Sequence, residues 1–275
     1  MPELPEVETI VRGLLPRVRG RRIESVWWSG QGLHLGRKVD LRGLRAVAVG
    51  RAVARVRRRG KYILIEVAGG EDEGVVVHLG MTGRLRVQPA AAARAAHTHV
   101  VFALAGGDEL RFTDARRFGW VAPGRPLAAD PALAALGPDP LSELDAPALA
   151  SALAEARAPI KAFLLDQRRI AGLGNIYVAE ALFRVGAHPA TPARRLARRA
   201  AALLAAVRET LEGGIARRGT TLRDYVDADG LEGDNAAALL VYGRAGEPCT
   251  RCGAPIRRRV DGGRATFFCP RCQRR

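Results

Sequence analysis

Three regimes of hydrophobic patterning follow one another along the chain. Near the start, Val7, Ile10, Val11 and Leu14 recur at helical spacing. They predict an amphipathic helix over 6–18, with Pro5 in its first turn. Short runs rich in Val, Leu and Ile then occupy 23–28, 47–56, 62–67, 74–79, 84–88, 99–105, 109–114 and 119–122. Gly or acidic turns separate them, the spacing of a β-sandwich or barrel. Residues 90–96 read as a low-complexity loop, and 123–140, rich in Pro, Ala and Asp, as a linker. The third regime is Ala-rich and predicts helices over 142–156, 160–167, 176–185 and 192–213. Thr191-Pro192 would open the last of these and Gly213-Gly214 would close it. A long loop over 220–246 follows, with a short helix at 235–242. No internal repeat is visible. No run of 18 uncharged apolar residues exists, so no membrane-spanning helix is expected.

Charge changes the picture. Among 275 residues, 44 Lys and Arg stand against 28 Asp and Glu, a formal net charge of +16. Hydrophobic residues make up 48% of the chain, which excludes a disordered polyelectrolyte. A folded, strongly basic chain points to nucleic acid, ahead of an anionic membrane. Only three of the basic residues are lysines: Lys38, Lys61 and Lys161. Where nearly every cation is Arg, a retained Lys suggests a role for a deprotonable amine or a compact point charge. The start, Met1-Pro2-Glu3-Leu4-Pro5-Glu6, is acidic and broken by proline. It does not resemble a signal peptide, so a cytoplasmic protein, associated with the nucleoid through DNA, is expected.

All four cysteines lie in the last 27 residues, as Cys249-Thr-Arg-Cys252 and Cys269-Pro-Arg-Cys272, with 16 residues between the pairs. Two such knuckles joined by a hairpin are the pattern of a structural Zn2+ site. Two disulfides are the alternative, disfavoured without a secretion signal. Four thiolates fill every position, so the metal would have no catalytic water. Asp261-Gly262-Gly263 supplies the hairpin turn, which places Arg264 near its tip among many other arginines suited to phosphate contact.

Two further segments carry chemistry. Gly172-Leu173-Gly174-Asn175 lies between two predicted helices, and the N–H groups opening the second could bind phosphate. At the start, removal of Met1 would expose the secondary amine of Pro2. A neutral amine can attack an electrophilic carbon and form an iminium. Glu3 or Glu6 could supply a proton if burial raised its pKa. From the residues alone, an acidic helix cap is the simpler reading of this segment.

The ordered motifs carry a resemblance. The start Met-Pro-Glu-Leu-Pro-Glu-Val-Glu-Thr resembles that of the bacterial formamidopyrimidine-DNA glycosylases. So do Gly60-Lys61-Tyr62, His78-Leu79-Gly80-Met81-Thr82-Gly83 and Thr113-Asp114-Ala115-Arg116-Arg117-Phe118-Gly119. The match continues through Pro159-Ile160-Lys161, Gly172-Leu173-Gly174-Asn175-Ile176-Tyr177, Gly219-Thr220-Thr221-Leu222, Val241-Tyr242-Gly243-Arg244 and Arg264-Ala265-Thr266-Phe267. These matches span nearly the whole chain in the family's order.

The resemblance implies an α+β protein. It would have an N-terminal β-sandwich with an N-terminal helix (1–124), a linker (125–141), a helix-two-turn-helix domain with a lesion loop (142–240), and a four-cysteine zinc ribbon (241–275). It implies Pro2 as nucleophile at the sugar C1′ and Glu3 as general acid at the sugar ring. Lys61 would serve β-elimination and Arg264 δ-elimination. His78, Asn175 and Arg264 would grip phosphates around the lesion, and His97 and Arg116 would contact DNA. Met81, Arg116 and Phe118 would fill the space left by an extruded base. Lys161 matches a DNA-binding lysine tied to oxidised-purine handling. Ala115 stands where the family has Pro, which leaves that loop freer.

The implied activity is excision of 8-oxoguanine and ring-opened purines from double-stranded DNA, followed by strand cleavage at the abasic site. The implied cofactor is one structural Zn2+, and a clamp on duplex DNA can work as a monomer. An endonuclease VIII-type pyrimidine glycosylase is the runner-up, but Leu4 stands where that branch has Gly. A non-enzymatic zinc-ribbon binder would need neither Pro2, Glu3 nor Lys61.

Overall fold

The computed structural model describes residues 2–34, 36 and 38–274. The expected removal of Met1 therefore concerns a residue outside those described. The chain divides into two compact units. One comprises Met1–Ala135 with Arg217–Asp234, the other Leu136–Ala216 with Asn235–Arg275.

In the first unit, α1 (Leu4–Val18) starts after Glu3 with Pro5 in its first turn, and buries Val7, Ile10, Val11, Leu14 and Val18. The strands are β1 (Ile23–Trp28), β2 (Val53–Arg59), β3 (Tyr62–Val67), β4 (Gly74–His78), β5 (Arg84–Pro89), β6 (Thr98–Leu104), β7 (Asp108–Thr113) and β8 (Trp120–Gly124). They form two four-stranded antiparallel sheets, ordered β1-β6-β7-β5 and β2-β3-β4-β8. One apolar core unites both sheets with α1: Val26, Phe102 and Phe112 from one face, Ile63, Ile65 and Val77 from the other. This is a β-sandwich in which alternate residues point inward.

Two expectations need correction here. Residues 47–56 are not one strand. Leu41–Ala48 form a helix, α2, capped by the Asp40 side chain on the Gly43 amide, and the strand begins only at Val53. Leu44, Val47 and Ala48 are the buried stripe of that helix, so the β-branched Val47 belongs to a 3.6-residue period. The stretch over 123–140 is not an unstructured linker either. It holds a 3-10 turn (Leu127–Ala129) and a one-turn helix, α3 (Pro131–Ala134), with Asp130 accepting from Ala132 and Leu133 amides and Leu127 buried.

The second unit contains α4 (Ala146–Ala154), α5 (Ile160–Leu165), α6 (Asn175–Arg184) and α7 (Ala200–Ala216), then the hairpin β9 (Arg257–Asp261) and β10 (Arg264–Phe268). The helix expected over 192–213 is a 3-10 segment, Ala193–Arg199, followed by α7. Pro192 precedes that segment as its cap, while the Thr191 hydroxyl makes no hydrogen bond. Gly213-Gly214 does not end α7, which runs on to Ala216. Gly214 answers a packing demand instead: a Cβ there would lie 2.5 Å from the buried Tyr177 ring. Residues 235–242 shorten to a 3-10 turn at Asn235–Ala238. No helix among the described residues is long and apolar enough to cross a membrane.

Candidate DNA-processing site

At the start of α1, Pro2 and Glu3 are buried, and Glu6 is 2% exposed. The Glu6 carboxylate accepts two amides at once, Glu3 N–H at 2.8 Å and Thr220 N–H at 2.7 Å. It thus joins the chain start to the segment Arg217–Asp234, 214 residues on. Gly219 permits the approach. Its φ is +87°, and a Cβ would lie 2.9 Å from the Glu6 side chain. Tyr225 closes the same segment with a hydroxyl bond to the Arg218 carbonyl at 3.0 Å. Burial and the Glu6 carboxylate raise its pKa, so the phenol stays a donor. Glu6 therefore buttresses the acidic start, a role the sequence leaves open.

Lys61 is buried at the β2–β3 turn, after Gly60 (φ +57°). Arg58 ties that turn to α1, donating to Glu8 at 3.0 Å and to the Gly60 carbonyl at 3.2 Å. Across β3 and β4, Tyr62 pairs with His78, and their rings sit 4.9 Å apart. Burial first, then the Lys61 charge, pushes the His78 pKa down to about 4. His78 is neutral near pH 7, and its Nδ1 accepts the Gly80 amide at 3.2 Å. The ring proton must then sit on Nε2, a ready donor for a phosphate oxygen.

Met81, Arg116 and Phe118 sit on adjoining loops. Met81 is 41% exposed, uncommon for a large apolar side chain. The Arg116 guanidinium lies 4.7 Å over the Phe118 ring. The buried Asp114 carboxylate organises both loops, accepting from the Thr82 hydroxyl, the Arg116 amide at 3.2 Å and the Gly119 amide at 2.7 Å. Gly80 (φ +60°) faces the Phe118–Gly119 backbone so closely that no Cβ fits.

His97 is exposed with φ +63° and lies just before β6. His99 is buried, bonded to the Asp114 carbonyl and paired with Ser29 Oγ, a structural residue. Arg111, 1% exposed, fixes the loop before His97 by donating to Gln88, Glu109 and the carbonyls of Pro89, Ala92 and Ala93.

In the second unit, Gln167 shapes the turn before α6. Its side chain accepts the Gly172 amide at 2.9 Å and donates to the Leu173 carbonyl at 2.8 Å. α6 then opens at Asn175, whose Nδ2 donates to the Ala265 carbonyl at 2.9 Å. Lys161 is only 5% exposed, and its ammonium donates to that same carbonyl at 2.9 Å and to Thr266 Oγ1 at 2.6 Å. Burial pushes its pKa down to about 8 against the pull of Asp261. Arg264 is exposed at the first position after Gly262 and Gly263, whose φ values of +55° and +75° are those of a two-residue primed turn. Glu180 anchors the connection into the ribbon, accepting the Leu240, Val241 and Tyr242 amides at 2.8–2.9 Å.

Three family models match the chain in order. They are the formamidopyrimidine-DNA glycosylase N-terminal domain over residues 1–121, its H2TH domain over 136–226, and a zinc finger found in FPG and IleRS over 246–275. The formamidopyrimidine-DNA glycosylase of Moorella thermoacetica is 50% identical over 262 residues, covering 94% of each chain.

This chain belongs to the formamidopyrimidine-DNA glycosylase family.

Solved structures of the family agree. A Lactococcus lactis Fpg variant in complex with Fapy-dG-containing DNA superposes with a TM-score of 0.90 at 33% identity, covering 100% of both chains. MutM in complex with carbocyclic 8-oxo-G-containing DNA gives 0.89 at 33% identity, with the same coverage.

The family's zinc finger is matched by the donor set. The four Sγ atoms lie within 4.8 Å of one another, with Cys249–Cys272 at 3.9 Å and Cys252–Cys269 at 3.5 Å. Tetrahedral thiolates about 2.3 Å from Zn2+ lie roughly 3.8 Å apart. One structural Zn2+ therefore fits, held by Cys249, Cys252, Cys269 and Cys272. Its role is to pin the ribbon against α6 through Phe183, Ile256 and Phe267.

Sequence reasoning missed the residues that orient the family's motifs: Asp114, Arg111, Gln167 and Glu180. Asp114 lies within a motif, but nothing local marks it as the organiser of two loops. Arg111 and Glu180 give no local sign of the contacts they make 18–23 and 60–62 residues away, and Gln167 none of its hold on the turn 5 and 6 residues on.

Proposed function

We propose that this chain is a bifunctional DNA glycosylase and abasic-site lyase of base excision repair, acting on formamidopyrimidine lesions and 8-oxoguanine. The observation that carries the reading is the buried Pro2-Glu3 start, buttressed by Glu6 and adjoined by the Lys61 turn that Arg58 ties to α1. Basic side chains hold the duplex through its phosphates. The lesion nucleotide leaves the stack. Met81, Arg116 and Phe118 occupy the vacated space.

After removal of Met1, the Pro2 amine attacks C1′. The C1′–N bond breaks with its electron pair going to the base, which takes up the proton shed by the Pro2 nitrogen. The C1′–O4′ bond then breaks with its pair going to the ring oxygen, which Glu3 protonates. The ring-opened product is an iminium between Pro2 and C1′. It acidifies the C2′ hydrogen. Loss of that proton expels the 3′ phosphate, with Lys61 serving this β-elimination. A second elimination, served by Arg264, expels the 5′ phosphate. His78, Asn175 and Arg264 bind phosphates, and His97 contacts DNA. The proposed division of labour places base excision and the first elimination in 1–124, DNA binding in 142–240, and the ribbon, with Arg264 and the second elimination, in 241–275. The linker is 125–141. A cytoplasmic, nucleoid-associated enzyme follows from this reading.

Borohydride trapping tests it. We expect a covalent adduct on a duplex bearing 8-oxoguanine opposite cytosine, a weaker one on a thymine-glycol duplex, and none after Pro2→Gly. Preferential trapping on thymine glycol would move the substrate to oxidised pyrimidines. Absence of any adduct, with Met1 removal confirmed by mass, would leave DNA binding alone.

A further inference from the structure

The second unit holds a cavity of about 410 Å3 under the hairpin tip, lined by Lys161, Leu165, Asp166, Arg259, Asp261 and Arg264 among others. Lys161 enters it from α5, but its ammonium is committed elsewhere. It donates to the Ala265 carbonyl and to the Thr266 hydroxyl. That hydroxyl in turn donates to Asp261 Oδ2 at 2.6 Å. Asp261 and Arg264 face each other in register across the Gly262-Gly263 turn. Lys161 therefore supports both sides of the turn that presents Arg264. Asn175 reinforces the clamp from α6 by donating to the same Ala265 carbonyl.

We infer that Lys161 is a positioning residue, which acts on DNA by clamping Ala265 and Thr266 so that Arg264 is aimed, without touching DNA itself. A lysine only 5% exposed, with its ammonium already donating to two acceptors, has little left to offer a phosphate. The clamp also explains why this site keeps one of the chain's three lysines. A compact ammonium reaches two acceptors on consecutive residues, whereas a planar guanidinium needs a wider, coplanar set. The inference rests on the role proposed for Arg264, and its test separates the two.

Lys161→Met suits that test, since each group it releases keeps one hydrogen-bond partner. Ala265 keeps its bond from Asn175, and Thr266 keeps Asp261. The full-length, zinc-loaded protein would be assayed on a duplex with one abasic site, scoring β- and δ-elimination products, borohydride trapping and zinc content. We expect Lys161→Met to lower the δ-to-β product ratio at least fivefold, with trapping and zinc content unchanged. We expect Arg264→Ala to lower it at least as far, and the double variant to match Arg264→Ala alone. A further drop in the double variant would show that Lys161 contacts DNA independently and overturn the inference. So would an unchanged ratio in Lys161→Met. Should Lys161→Met lose zinc or fail to fold, Thr266→Val reads the same clamp from the ribbon side: a lowered ratio supports the inference and an unchanged one overturns it. If Arg264→Ala leaves the ratio untouched, the role proposed for Arg264 fails first. If wild type gives no adduct, the enzymatic reading fails as a whole.

Discussion

The β-sandwich and the zinc ribbon hold reactive side chains by different means. In the sandwich, Pro2, Glu3 and Lys61 rest on a core drawn from two four-stranded sheets and α1. Fine orientation comes from buried carboxylates, Glu6 and Asp114, that accept backbone amides. The ribbon has two five-residue strands and a small apolar cluster completed by Ala179 and Phe183 from outside it. It aims Arg264 with a metal and two borrowed donors, Lys161 and Asn175. A large core carries the proposed nucleophile with one added strap, the Thr220 bond to Glu6. A hairpin of this size lacks such a core, and relies on metal ligation and on neighbouring helices.

Zinc removal should break this contrast most sharply. Structural Zn2+ sites have apparent binding free energies of about 10–16 kcal/mol, and small ribbons unfold without the metal. Chelation should abolish tight duplex binding, by ~100-fold or more, while sparing the sandwich. Heteronuclear NMR would show this as loss of dispersed signals from residues 249–273 alone. Collapse of sandwich signals as well would show that the two devices are not independent.

Asp114→Ala attacks the opposite device. It leaves the Gly119 amide and the Thr82 hydroxyl without their acceptor, while the Arg116 amide keeps the Thr82 hydroxyl oxygen at 3.3 Å, and unsatisfied buried groups cost about 1–3 kcal/mol each. We expect a loss of ~3 kcal/mol in denaturant unfolding, with weakened lesion binding and intact zinc. A change below ~1 kcal/mol would mean that the loops are fixed by packing.

Glu6→Gln is subtler. One carboxamide oxygen can still accept, but its NH2 must face the second amide donor. A loss of ~1–2 kcal/mol is expected, with base excision slowed more than cleavage of a preformed abasic site. Equal slowing of both steps would contradict the buttressing role.

The smallest expected effect is that of His78→Gln on acid sensitivity. The folded state holds the His78 pKa near 4, below the ordinary value of 6.5. Its contribution to stability is therefore present above about pH 6.5 and declines as pH falls towards 4. The gap in unfolding midpoint between variant and wild type should narrow from pH 7 to pH 5. A constant gap would show that His78 is not buried neutral.

The same contrast explains what was legible in the sequence. Apolar periodicity is a local property, so α1 and most strands could be read directly. So could the ribbon, because cysteine spacing encodes its geometry. Residues 41–48 escaped because the buried stripe of α2 runs into the next strand across Gly50, whose φ of +81° separates them. Gly214 looks like a helix stop, since the sequence does not show Tyr177 lying against it. The motifs named the chemical groups. Their orienting partners stayed hidden because each acts through a contact that only the folded chain creates. Lys161 is the plainest case: the motif marks it as important, and the structure shows it bonded to the ribbon.

The attachment of Arg217–Asp234 to the first unit has a consequence for synthesis on the ribosome. The acceptor side of the Glu6–Thr220 bond is translated within the first few residues and the donor side near the end. At roughly 5–20 residues per second, some 10–40 s separate them. A nascent chain that has already emerged as a sandwich still lacks the strap that steadies its chain start. The lyase chemistry therefore matures late, when the helices and most of the DNA-gripping surface have also been made. Truncated translation products would carry the proposed nucleophile without its support, and are expected to be poor at cutting DNA.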